Sequence, residues 1–240
     1  MILMGVVNLT PDSFREETRA MTPAAIKRRV KAFLGRGCSI IDLGAVSTRP
    51  GAADVPVEIE WQRLEPALAL VKTADISIDT TSAEIVRRAY GRIGRFIVND
   101  ISAGEDDPEM LPTVAELGLP YIAMHKRGNP RSMDALTEYP QGVVQAVNDY
   151  FEQFAEKAEK LGIKEWILDP GFGFAKTAEQ NWELLENLPS FRHFGRPILV
   201  GVADKRFTHT PNPFAPGQVP SSQYAERLAE ERGADILRIH

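Results

Sequence analysis

Apolar positions along the chain fall into short runs rich in branched residues, separated by longer segments of helical period. The runs are Ile2-Val7, Ser39-Leu43, Ile76-Ile78, Arg95-Val98, Tyr121-Met124, Trp166-Leu168, Ile198-Val202 and Ile236-Ile239. Each is continuous enough to be buried on both faces, which is the mark of parallel strands covered by helices. Between the first two runs, Thr22 predicts an N-cap and Pro23 a first helical residue; Ile26, Val30, Phe33 and Leu34 form the apolar stripe, and Gly35 and Gly37 close it. Trp61, Leu64, Leu68 and Val71 recur at the same spacing, as do Ile85, Val86 and Tyr90. Val143-Leu161 predicts a longer amphipathic helix, and Gln223-Arg232 a shorter one with Ser222 as its N-cap. Alternation of this kind predicts an α/β fold, a (β/α)8 TIM barrel forming a single domain over residues 1-240. The last run ends beside His240, so the final helix is expected to be missing. An open doubly wound sheet is the alternative, but it needs an edge strand and leaves the polar residues after every run unexplained.

Composition narrows the function classes. A net charge of -5 argues against a nucleic-acid partner, which calls for a basic stripe. Met1-Val7 is too short for a signal peptide or a membrane span and is interrupted by Asn8, so the expected location is cytoplasmic with no membrane partner. Cys38, the one cysteine, cannot form an internal disulfide, and the scattered histidines show no zinc-ligand spacing.

In a (β/α)8 barrel the loops after the strands converge on one mouth, so residues far apart in sequence become neighbours there. Asn8-Phe14 and Gly44-Gly51 follow the first two runs; Asp79, Asn99 with Asp100, His125, Asp169-Pro170-Gly171 and Lys205 follow the next five. On the last run Arg238 and His240 alternate with Ile239, so both are expected to face inward. Taken singly, Asp79 or Asp169 reads as a turn cap, Asn8 as a turn residue, Arg49 and Lys205 as solvated cations and His125 as an ordinary strand-end residue. Taken together they divide into acids and amides that suit a planar heterocycle with amide and amino edges, and cations (Arg49, Arg238, His240) that suit phosphate. Asn8 is a candidate ligand for a magnesium ion, which typically keeps several waters and bridges to substrate phosphates.

Several blocks resemble the dihydropteroate synthases: Met4-Gly5-Val6-Val7-Asn8-Leu9-Thr10-Pro11-Asp12-Ser13-Phe14, Ser47-Thr48-Arg49-Pro50-Gly51, Ser77-Ile78-Asp79-Thr80, Asn99-Asp100-Ile101-Ser102, Met124-His125 and Asp169-Pro170-Gly171-Phe172-Gly173-Phe174. They occur in that family's order and span almost the whole chain. The resemblance implies a TIM-barrel transferase of folate biosynthesis that joins 6-hydroxymethyl-7,8-dihydropterin diphosphate to p-aminobenzoate, releases pyrophosphate and is a sulfonamide target. It implies that Asp79, Asn99, Asp169 and Lys205 bind the pterin, with Asp79, Asp169 and Lys205 catalytic. It further implies that Asn8 with Mg2+, Arg49, Arg238 and His240 hold the diphosphate, that Thr48 seats p-aminobenzoate, and that the protein is a homodimer.

The chain departs from the family's pattern in its loops. Arg15-Glu16-Glu17-Thr18 stands where Ser-Asp-Gly-Gly is usual, Ala45-Val46 replaces Gly-Glu, and Ala175 replaces a common Gly. Ala203-Asp204-Lys205 stands where Ser-Arg-Lys is usual, which keeps the lysine, removes a hydroxyl and reverses a charge. A noncatalytic pterin-binding paralogue and a pterin-dependent methyl carrier are the competing readings. Arg49, Arg238 and His240 argue against the carrier, which has no need of diphosphate contacts.

Overall fold

A computed structural model of the chain describes residues 1-10, 22-46, 55-128 and 135-240. Its strands are β1 (Ile2–Asn8), β2 (Ile40–Gly44), β3 (Asp75–Asp79), β4 (Ile97–Asp100), β5 (Tyr121–Met124), β6 (Trp166–Asp169), β7 (Leu199–Val200) and β8 (Ile236–Ile239). All ladders are parallel, and the strands lie in the order β6-β5-β4-β3-β2-β1-β8-β7. A single bridge between Leu168 and Ile198 joins the two ends, so the sheet nearly closes on itself as a barrel. The helices are α1 (Pro23–Gly35), α2 (Val57–Leu68), α3 (Ala83–Ile93), α4 (Met110–Leu117), α5 (Val143–Leu161), α6 (Ala178–Glu186) and α7 (Ser222–Glu231), and the order ends on β8.

Local chemistry explains the helix boundaries. Thr22 accepts from the Ala25 N–H ahead of Pro23, as its sequence position predicts. Thr177 and Gln180 form a reciprocal capping box on α6. At α7 the cap is Ser221, whose hydroxyl accepts from the Tyr224 N–H, and not Ser222. The Ser222 hydroxyl instead accepts from the Asp204 N–H, tying α7 to the loop after β7.

Six strands differ from their sequence-based bounds: β1, β2, β3 and β6 by one residue at one or both ends, β4 and β7 by more. β4 begins at Ile97 because the Arg95 side chain turns to the outside, where it pairs with both carboxylate oxygens of Glu165 and with the Gly118 carbonyl. β7 shrinks to Leu199–Val200. The Ile198 N–H is taken by the Asp235 carboxylate and its carbonyl accepts from both Asp235 and Ile236, so the regular ladder starts one residue late.

Alternation along each strand separates two cores. Residues facing outward join the helices in one continuous cluster, in which Phe33 of α1 sits where β1 has no side chain: a Cβ on Gly5 would lie 2.4 Å from Phe33 Cγ. Inside the barrel, Met4, Ile40, Ile122, Leu199 and Ile236 form a second buried cluster, with Ile97 and Ile167 against it. This inner layer is the apolar floor on which the polar residues of the mouth are built.

Candidate active site

Above that floor the next inward position turns polar on β2, β4, β6 and β8. Two residues beyond Ile40 stands Asp42, wholly buried; two beyond Ile97 stands Asn99, two beyond Ile167 stands Asp169, and two beyond Ile236 stands Arg238. Asp42 Oδ2 accepts from Arg238 Nε at 2.9 Å and from Asn99 Nδ2 at 3.2 Å. Arg238 Nη2 also reaches Asp79 Oδ2 at 3.2 Å, at the end of β3. Asp42 Oδ1 and Ser77 Oγ are buried with no hydrogen-bond partner among the described residues.

These groups open into a pocket lined by Asp79, Asn99, Asp169, Lys205, Arg238 and His240, with Met124, Phe172 and Phe174 supplying apolar walls. Six of the sequence-predicted site residues therefore meet in one cavity. Arg238 and His240 face it and Ile239 enters the outer core, as the alternation predicts. Asn8 stands at the exposed end of β1 on the neighbouring side of the mouth: a Cβ on Gly44 would lie 3.7 Å from Asn8 Oδ1 and 3.6 Å from Asp79 Oδ2. Thr48 and Arg49 lie outside the described residues, as do the first-loop residues Pro11-Phe14 and Arg15-Thr18.

Electrostatics in the pocket follow from burial. Burial lifts the Asp79 carboxyl to about 7, the nearby Asp42 adds to the rise, and the Arg238 guanidinium opposes it. Burial also raises Asp169 above the usual carboxylate range, opposed by the Gly171 N–H, which donates to its Oδ1 at 2.8 Å, and by the Lys205 charge. Lys205 is lowered to about 8 by burial and then by Arg238, and its ammonium lies 4.8 Å above the centre of the Phe174 ring. His240 is lowered to about 4, first by packing against the mouth and then by the charges of Arg238 and Lys205. At neutral pH its ring therefore adds no positive charge of its own to the mouth. Arg238, held by two carboxylates, supplies directed N–H donors more than net charge.

The departures at the loops also have a structural reading. Asp204 adopts φ 54, a left-handed conformation that aspartate tolerates better than most residues, and its exposed side chain leaves the reversed charge in solvent. Ala203 is buried and lines the pocket. Ala175 at φ 51 holds a conformation that favours glycine.

Sequence reasoning missed Asp42 and Lys176. Asp42 carried a usable signal, because an acid on the inward face of an otherwise apolar strand, two residues before the loop, requires a buried partner. Lys176 carried none, since it lies outside the strand ends.

A protein-family model described as pterin binding enzyme matches residues 4–240. The chain belongs to the pterin-binding enzyme family. It is 37% identical over 244 residues to the dihydropteroate synthase of Escherichia coli (strain K12), covering 99% of this chain and 86% of that protein. It is 39% identical over 247 residues to the dihydropteroate synthase of Synechocystis, covering 99% of this chain and 84% of the relative. Among solved structures, the Yersinia pestis dihydropteroate synthase in complex with a sulfonamide drug superposes with a TM-score of 0.88 at 30% identity, covering 100% of this chain and 88% of that one. The Xanthomonas albilineans enzyme with 4-aminobenzoic acid gives 0.83 at 35% identity, covering 100% and 87%. The fold shared with these relatives of the family is the TIM barrel.

Proposed function

We propose that this chain is a dihydropteroate synthase, a transferase that condenses 6-hydroxymethyl-7,8-dihydropterin diphosphate with p-aminobenzoate to give 7,8-dihydropteroate and pyrophosphate in folate synthesis. The observation that carries the reading is the pocket itself: acids, an amide and a lysine contributed by separate strand ends, in a chain related over nearly its full length to enzymes of that name. Asp79, Asn99, Asp169 and Lys205 are assigned to the pterin, since together they offer donors and acceptors along one wall of a cavity whose other wall is aromatic. Arg238 and His240, with Arg49, are assigned to the diphosphate, Thr48 to p-aminobenzoate, and Asn8 to a magnesium ion.

The donor set fits an ion that arrives with its substrate. No group of three or more His, Cys, Asp or Glu able to hold a metal occurs among the described residues, while Asn8 Oδ1 and the Asp79 carboxylate flank Gly44 at the mouth. One or two protein oxygens, with waters and phosphate oxygens completing the shell, suit magnesium. When bound, the ion would neutralise charge on the departing pyrophosphate.

The reaction breaks the bond between the pterin methylene carbon and the diphosphate oxygen, and the electron pair leaves with pyrophosphate. The amine nitrogen of p-aminobenzoate forms the new bond and gives up a proton. In this scheme Asp79 and Asp169, anionic when ionised, stabilise positive charge developing on the pterin methylene, and Arg238 offers N–H donors to the leaving group. Walls of Met124, Phe172 and Phe174 keep water from that carbon. Cytoplasmic residence and a homodimeric assembly complete the reading; light scattering tests the assembly.

Pyrophosphate release from the dihydropterin diphosphate with Mg2+, measured with and without p-aminobenzoate, tests the proposal. Release that depends on p-aminobenzoate, yields dihydropteroate, is inhibited by a sulfonamide and falls about a hundredfold in Lys205→Ala is expected. Binding of the pterin diphosphate without turnover would overturn it in favour of a noncatalytic paralogue.

A further inference from the structure

Behind the pocket, outside the set of residues assigned to substrate, lies a second buried lysine. Lys176 precedes α6, and its ammonium sits under the turn that follows β6. Nζ donates to the Gly171 carbonyl at 2.9 Å and to the Phe174 carbonyl at 3.0 Å, and lies 3.0 Å from His125 Nδ1. His125 follows β5, is itself buried, and packs edge-on against Tyr150 at 4.9 Å between ring centres. Three ligands thus surround one nitrogen. The arrangement suits either protonation state of the lysine: an ammonium donates to all three, and a neutral amine donates to the two carbonyls and accepts from the other imidazole tautomer.

The turn held in this way carries two groups of the pocket. The Gly171 N–H, in the residue whose carbonyl Lys176 grips, donates to Asp169 Oδ1. Phe174, whose carbonyl is gripped as well, places its ring under the Lys205 ammonium, and a Cβ on Gly173 would lie 3.2 Å from Lys205 Cδ. The turn depends on close backbone approach: Gly171 has φ 72, and a Cβ there would collide with the His125 carbonyl oxygen and reach 3.4 Å from Lys176 Nζ. On the far side Asn181 Oδ1 accepts from the Gly173 N–H, and its amide donates to the Lys176 and Thr177 carbonyls. The turn is therefore tethered at both ends by side chains.

We propose that Lys176, together with His125, is a positioning residue for the pterin pocket: by clamping the Gly171-Phe174 turn it fixes the Asp169 carboxylate and the seat of Lys205. The inference rests on the assignment of this pocket to the pterin. Its expected consequence is that loss of the clamp changes the surroundings of Lys205 and the affinity for the heterocycle, while leaving the mouth that serves the second substrate intact.

The test compares wild type with Lys176→Met, which keeps the length of the side chain and removes its donors. A Lys176→Leu variant, which also removes the donors in a shorter apolar side chain, is read in the same way if the Met variant does not fold. The first readout needs no turnover: trace acylation of Lys205 by acetic anhydride, followed across pH by peptide mass spectrometry, is expected to titrate near 8 in wild type. In the variant the midpoint is expected to move toward the ordinary lysine value of about 10. The second readout is calorimetric binding of the dihydropterin diphosphate, expected to weaken by about tenfold to a hundredfold, with the KM for p-aminobenzoate unmoved. A lowered melting temperature with an unchanged Lys205 profile and unchanged pterin affinity would overturn the proposal and leave Lys176 a purely structural residue. If wild type fails to bind the pterin diphosphate, the functional reading falls, and the Lys205 profile still decides whether Lys176 positions its neighbour.

Discussion

Arg238 and Asp42 stand 196 residues apart in sequence and meet inside the barrel, where Nε and Nη2 approach the same carboxylate oxygen at 2.9 and 2.8 Å. The pair closes β8 against β2 across the inward face of β1, and it aims the guanidinium at the mouth. Removing one partner of a buried pair leaves the other charge uncompensated, at a cost of about 3 to 5 kcal/mol. Arg238 keeps Asp79 as a second partner and part of its side chain is exposed, so the low end applies. Asp42→Leu is expected to lose about 3 kcal/mol in urea denaturation; an unchanged midpoint would show that Asp79 alone satisfies the arginine.

Asp79 sets a pH dependence. Its carboxyl is raised to about 7 in the folded chain, against about 4 when unfolded. Between these values the folded protein holds a proton that the unfolded chain has released. The associated stability is fully present below about pH 4 and is lost as pH rises through about 7. Asp79→Asn removes that loss, so thermal melts are expected to favour the variant over wild type increasingly from about pH 5 to about pH 7. A difference in melting temperature that does not vary with pH would show that the carboxyl is ionised throughout.

At position 175 the chain places alanine in left-handed backbone, with φ 51. That conformation costs an L-residue about 1–2 kcal/mol, and glycine gives back roughly 0.5–1 of it through the greater freedom of the unfolded chain. Ala175→Gly is expected to raise stability by about 0.5–1 kcal/mol, read as a shift in denaturant midpoint at constant slope. A loss of stability would mean that the methyl group makes contacts worth more than the backbone conformation costs.

Gly5 and Phe33 are coupled by volume. A methyl group on Gly5 would enter the Phe33 ring, so Gly5→Ala is expected to cost about 1–3 kcal/mol by overpacking. Phe33→Leu in the same chain makes room. The double-mutant cycle is expected to show a favourable coupling of about 1 kcal/mol or more. Additive effects would place the strain elsewhere in β1.

All eight strands were legible because each is a dense apolar run, and the caps at Thr22 and the span of α5 were legible from single residues and period. The pocket was legible where a polar residue ends its strand, as at Asp79 and Asp169, and where alternation turns one inward, as at Arg238. Asp42 lies inside a strand, and a reading that treats the run as buried on both faces passes over it. Lys176 is invisible for another reason: its partners are two backbone carbonyls and a histidine 51 residues away, and no sequence pattern encodes where carbonyls point. The shortening of β7 likewise follows from a side chain, Asp235, competing for the Ile198 amide.

The ring of strands has a seam. β7 holds only two ladder residues, and where it meets β6 one bridge, Leu168 to Ile198, does the work that several paired residues do elsewhere around the barrel. A hoop joined at one weak point opens there first, because parting it breaks the fewest backbone hydrogen bonds. The strands on either side of this seam lead directly to Asp169 and Lys205. The side of the barrel that carries Asp169 and Lys205 is thus the side where the fewest backbone pairings tie one strand to the next.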